Sequence, residues 1–108
     1  MTATVARPTG AELLERATSW IPALIERSAS TEELRRIPDE TRDEFIANQF
    51  HLVAQPTRFG GLDLGIGTAA ELAMEVGRGC GSTAWMTGQW PGHQFMVGTF
   101  PLQAQEEY

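Results

Sequence analysis

The residues best placed to do chemistry in this chain are Trp85 and His93. They lie eight positions apart, within about 80° of each other on an unbroken helix of 3.6 residues per turn, so an indole and an imidazole can face one pocket. Imidazole takes up or releases a proton near neutral pH. The same spacing also suits a core tryptophan followed by a histidine satisfied beside a kink at Pro91. His51 and His93 are the only two histidines, and without a carboxylate–histidine spacing of the zinc-hydrolase type they do not build a metal site. No metal is expected. Cys80 falls on the apolar side of its helix and reads as a small core residue.

A second group of candidates sits in a glycine-rich stretch. Gln55 to Gly67 contains Pro56, Gly60, Gly61, Gly65 and Gly67, a density of turn-formers that predicts a shaped loop in which backbone can approach a ligand closely. Arg58 in that loop could meet an anion. Gly65-Ile66-Gly67-Thr68-Ala69-Ala70 matches a dinucleotide-binding pattern in letters, but that pattern needs a strand before it and a strand after the helix. Neither is legible here. The acid pairs Glu32-Glu33, Asp43-Glu44 and Glu106-Glu107 occupy adjacent helical positions that point apart, so they read as solvated charge.

Composition bounds what these groups can serve. The chain has 108 residues, with 14 acidic against 8 basic side chains and a formal charge of −6. Such a surface repels polyanions, and nucleic acid is not an expected partner. All the basic residues are arginine, which excludes a lysine Schiff base and a Walker-type phosphate lysine. One domain is the expected size. A single cysteine forms no internal disulfide, and the first ten residues lack the apolar run of a secretory signal, so the reading is cytoplasmic. Gly79 to Gln105 carries no charge but is interspersed with Gly, Pro, Gln and His, which suits a core helix better than a membrane span.

The elements that must position the candidates are all helical in pattern. Residues 1–10 are expected to be a flexible lead-in and residues 11–108 the helical domain. Leu13, Leu14, Ala17, Ile21, Leu24 and Ile25 recur at helical spacing, with Pro22 predicting a kink or break near Trp20. Ser30 to Glu33 has capping-box spacing and predicts a separate short helix to Arg36. Another helix starts at Pro38 or Asp39 and fades between His51 and Ala54. Thr68 to Glu71 forms a second capping box, opening a helix that stops at Gly79 or Gly81. Ser82 or Thr83 caps a last long helix, interrupted at Trp90-Pro91-Gly92, and Pro101 occupies the first position of a further turn. About five to six helices and no confident strand result.

Taken together, Pro56-x-Arg58-x-Gly60-Gly61, the helix through Glu71 and Glu75, Cys80-Gly81-Ser82-Thr83-Ala84-Trp85, His93, and Phe100 followed by Gln103-Ala104-Gln105-x-Glu107 resemble a known family. They are similar to the N-terminal helical domain of the acyl-CoA dehydrogenase superfamily, and most of all to its flavin-dependent monooxygenase branch, the oxygenase components of two-component aromatic hydroxylases. The resemblance covers about residues 11 to 108.

The resemblance implies an all-α domain followed by a β-domain and a C-terminal bundle that forms tetramers. It implies reduced flavin, FMN with FAD as the alternative, supplied by a separate reductase and used with oxygen to hydroxylate a small phenolic substrate. His93 would contact the substrate phenol as the catalytic residue, with Trp85, Arg58, Phe59, Gly60 and Gly61 forming the substrate and flavin pocket. The domains expected to hold most of the flavin lie beyond Tyr108, so these residues alone are expected to be inactive. Two alternatives stand beside this reading. One is a true acyl-CoA dehydrogenase domain with bound FAD and a glutamate base from outside the segment; the other is a non-catalytic helical interaction module or relic.

Overall fold

The computed structural model describes residues 7–108; the part of the expected lead-in over residues 1–6 lies outside the described residues. Five α-helices carry the fold: α1 (Gly10–Leu34), α2 (Asp39–Ala47), α3 (Gly65–Val76), α4 (Gly81–Val97) and α5 (Leu102–Glu107), with no strand among the described residues. The all-α expectation holds. No helix among the described residues is long and apolar enough to cross a membrane.

Helix α1 begins in a capping box that the sequence reading did not name. The Thr9 hydroxyl accepts the Glu12 amide at 3.1 Å, and the Glu12 carboxylate accepts the Thr9 amide at 3.3 Å. From there the helix runs unbroken for 25 residues, through Pro22 and through the expected start at Ser30. Proline removes one internal hydrogen bond, but Leu13, Ala17, Trp20 and Leu24 are buried along one stripe on both sides of it, and that packing holds the helix together. No Gly or Pro separates Pro22 from Pro38, so nothing releases the chain at Ser30. The helix ends instead at Arg35, whose left-handed backbone (φ 59°) turns its amide back to the carbonyls of Thr31 and Glu32.

Helix α2 starts at Asp39 as expected, with Asp39 and Glu40 at its positive end, but stops at Ala47. Gln49 adopts φ 66° and leads into a 3₁₀ turn at Phe50–Leu52. Helix α3 starts at Gly65, three residues before the expected cap. Thr68 is therefore inside it, with its hydroxyl donated to the Leu64 carbonyl at 3.0 Å. Residues 65–70 form the first turns of this helix with no strand before them. The helix ends at Val76, ahead of Gly79.

Cys80, extended and buried, is the residue before α4, and no side chain caps this helix. Thr83 is buried instead of capping. The expected interruption at Trp90-Pro91-Gly92 is absent, because Pro91 is itself packed inside and α4 continues through it to Val97. Pro101 precedes α5 by one position. Helix α3 packs along α4 and also against α1, and the core between them is built from Leu13, Ala17, Leu24, Ala69, Leu72 and Val76.

Candidate functional site

Helix α4 has two sides of different character. Its inner side carries Thr83, Thr87 and Pro91, all buried, with Trp90 packed against the core. Trp90 stacks on Phe45 at 5.5 Å and lies 5.5 Å from the His51 ring, while Phe45, Phe50 and Trp20 complete the cluster. Aromatic pairs of this kind add about 0.5–1.5 kcal/mol each beyond area burial. Across α1 and α2, the Trp20 indole N–H donates to Glu44 at 2.7 Å, and Arg27 donates to the same oxygen at 2.5 Å and to the Thr41 hydroxyl at 2.8 Å. Burial alone would raise the Glu44 carboxyl, but the indole and guanidinium donors outweigh it and hold it below the ordinary range.

The outer side of α4 carries the predicted chemistry. Trp85 is 71% exposed, so it is not a core residue. Gln89 and His93 follow at successive four-residue steps and are also exposed, giving a Trp–Gln–His stripe about 12 Å long at 1.5 Å per residue. Trp85 and His93 therefore share one open side of the helix, as their spacing required. His93 makes no hydrogen bond among the described residues. Gln89, not singled out from the sequence, lies between them; the signal for it was the four-residue step itself.

Trp85 also lines one side of a groove of about 480 Å³ between the end of α1 and the start of α4, opposite Arg35, Arg36 and Ile37. His93 is outside that groove.

The loop candidates sit elsewhere along α4. A 3₁₀ turn at Thr57–Phe59 ends at Gly60, whose φ of 83° is the left-handed conformation that glycine adopts without steric cost. Gly61 is needed for a different reason: a Cβ there would collide with the Gln55 carbonyl. The loop folds back on itself, with the Leu62 amide donating to Leu52 O at 2.9 Å and the Leu64 amide to Val53 O at 2.7 Å. Arg7 clamps it through the Gly61 carbonyl at 2.7 Å. These two glycines are thus explained by loop geometry without a ligand. Arg58 is exposed and has no ion pair or hydrogen bond among the described residues. Phe59 is half-buried and lines a cavity of about 300 Å³ with Gln94, Val97 and Gly98 at the far end of α4 from Trp85. The six predicted residues accordingly form two groups, an α4 stripe and a loop, instead of a single enclosed pocket.

His51, given no role from the sequence, is a titratable group whose surroundings are altered by folding. Its Nδ1 is buried without a hydrogen-bond partner, and burial pushes its pKa below the ordinary imidazole value. Its contacts are Phe45 and Trp90, which places it in the core cluster and away from the open stripe. Among the described residues no group of three or more His, Cys, Asp or Glu is arranged to hold a metal ion.

Comparison with known proteins gives the stripe a context. No family profile matches the chain, and no solved structure does. Curated proteins do match: a pigment production hydroxylase of a Rhodococcus strain is 36% identical over 99 residues, covering 92% of this chain and 26% of that protein. The oxygenase subunit HsaA of a flavin-dependent monooxygenase from Rhodococcus jostii is 31% identical over 94 residues, 87% of this chain and 25% of that protein. The oxygenase component of p-hydroxyphenylacetate 3-hydroxylase from Acinetobacter baumannii is 29% identical over 98 residues, 91% of this chain and 23% of that protein. Over most of its length the chain is therefore similar to oxygenase components of flavin-dependent monooxygenases, and it spans about a quarter of the length of the curated relatives it matches.

Proposed function

We propose that residues 11–108 form the helical wall of the active site in the oxygenase component of a two-component flavin-dependent monooxygenase that hydroxylates a phenolic ring. The observation that carries this reading is the exposure of Trp85 on the same side of α4 as His93. An indole left 71% exposed forgoes the burial that the other two tryptophans obtain, and a flat apolar surface of that size fits a planar ring. The residues present thus suit a flavin or an aromatic substrate, though they form one wall and not an enclosure. Most of the remaining contacts would come from a β-domain and a helical bundle elsewhere in the protein.

Bound reduced flavin, FMN in preference to FAD, would supply the activation of oxygen. This chain's own residues would do the rest. Trp85 orients a ring and keeps water from one face of it, which matters because water access diverts such chemistry to hydrogen peroxide. His93 accepts the phenol proton at an imidazole nitrogen, making the ring more electron-rich. A flavin reductase is the expected partner, a tetramer the expected assembly and the cytoplasm the expected compartment; the 108 residues alone are expected to be inactive.

The test uses the native-length protein with a reductase, an aromatic substrate and oxygen. His93→Ala should lower hydroxylated product per oxygen consumed by about 10²-fold or more, the usual scale of a lost acid–base group. Oxygen consumption should continue, with peroxide released in place of product. Unchanged coupling would remove His93 from the chemistry.

A further inference from the structure

Arginine pairing among the described residues leaves two guanidiniums without a partner, and one of them lines a groove. Arg27, Arg36, Arg42 and Arg78 make ion pairs, and Arg7 and Arg16 donate to backbone carbonyls. Arg58, already assigned above, and Arg35 have no such partner among the described residues. Glu32, Glu33 and Asp39 are all within four positions of Arg35, yet none of them pairs with it among the described residues. Arg35 is also one of three non-glycine residues with a left-handed backbone among the described residues, a position where glycine is the usual and less strained choice.

The fold places this free guanidinium on one side of the groove whose other side is Trp85. Arg36, held to Asp39 at 3.0 Å, lies beside it, and Ile37 and Met86 supply apolar surface. Glu32 is the one carboxylate among the lining residues, and it makes no ion pair with Arg35 among the described residues. The groove is open to solvent along its length and presents these groups on its two walls. Guanidinium matches carboxylate and phosphate through parallel N–H donors, and an exposed indole matches an aromatic face.

We propose that this groove is the anion-binding end of the site: Arg35, with Arg36 beside it, takes the carboxylate or phosphate of an aromatic ligand whose ring lies against Trp85. The inference rests on the reading of α4 as the wall of a small-molecule site, and adds to it the charge that the ligand carries. The anion has two possible sources, the side chain of the substrate or the phosphate of the flavin, and both present the same chemistry to Arg35.

The experiment is an anaerobic fluorescence titration of the native-length protein with two matched pairs of probes. One pair is reduced FMN and reduced riboflavin; the other is 4-hydroxyphenylacetate and its uncharged methyl ester. Arg35→Gln should weaken the anionic member of one pair about tenfold or more, the effect of a lost charge-assisted hydrogen bond, and leave its neutral twin unchanged. Arg35→Lys should recover part of the loss, which a merely structural role would not produce. The flavin pair responding identifies the phosphate as the anion, and the phenol pair identifies the substrate carboxylate. Equal effects on both members of each pair, or none in either, would overturn the proposal. Hydroxylation by the Arg35→Gln protein at saturating substrate separates the two readings: retained turnover with wild-type discrimination between charged and neutral probes defeats this inference alone, whereas wild-type protein that binds no probe defeats the functional reading as well.

Discussion

Trp85 and Trp90 are five positions apart on one helix, and the fold uses them in opposite ways. Trp90 stacks on Phe45 and completes the aromatic cluster, whereas Trp85 stands 71% exposed above a groove. Five residues at 100° each bring the second side chain about 140° around the helix, from open side to core side. One residue type thus serves packing on one face and, in the proposed function, recognition on the other, and the helix between them ties the position of the proposed site to the stability of the core.

This contrast can be broken from the core side first. Trp90→Ala removes the ring stacked on Phe45 and should cost about 3 kcal/mol, within the usual range for emptying an aromatic core position; a urea unfolding midpoint measures it. Glu44→Gln should cost less, about 1 kcal/mol, because the Arg27 guanidinium, whose side chain is 16% exposed, would lose its ion pair while the Trp20 donor keeps an oxygen acceptor. A Glu44→Gln protein as stable as wild type would show that the network orients α1 on α2 without stabilising it.

A pH series sharpens the same comparison. His51 is partly buried in the fold, which lowers its pKa, whereas in the unfolded chain it titrates near 6.5. The unfolded state then binds more protons as pH falls below that value, so the stability due to neutral His51 is present above about pH 6.5 and is lost as pH drops toward the lowered folded value. Glu44, also lowered, adds a loss of the same sign below its ordinary value of 4.5. His51→Phe should abolish the upper step in thermal stability and keep the lower one. The smallest effect on stability belongs to Trp85→Ala, expected within about 0.5 kcal/mol of wild type as for other exposed positions. A loss above 1 kcal/mol there would make Trp85 structural.

Much of the fold was legible because helical periodicity is local. Leu13, Ala17 and Leu24 were placed on a buried face by spacing and are buried, whereas Ile25 of the same set is exposed. The errors fell where one residue's local preference competed with packing. Pro22 and Pro91 each suggest a break, yet both stand inside continuous helices; the hydrogen bond each one removes is a smaller term than the burial of the stripes on either side. Ser30 and Thr68 have capping-box spacing, but a cap forms only where the chain actually leaves the helix. Of the candidate site, the shared face of Trp85 and His93 followed from helical geometry, while Gly60 and Gly61 were noticed correctly and turned out to have backbone reasons.

Residue types and their spacing were enough for the helical class, the exclusion of lysine chemistry and the angular relation between Trp85 and His93, because each depends on residue type or on separation along one helix; the count of helices was settled only by the fold, which runs α1 through Ser30 and α4 through Pro91. Tertiary structure decided which tryptophan is buried, that His51 is a desolvated core group, and that Arg35 faces Trp85 across a groove. These depend on where α1, α2 and α4 meet, and residues 50 positions apart share a site only once burial of the common core has brought their helices together.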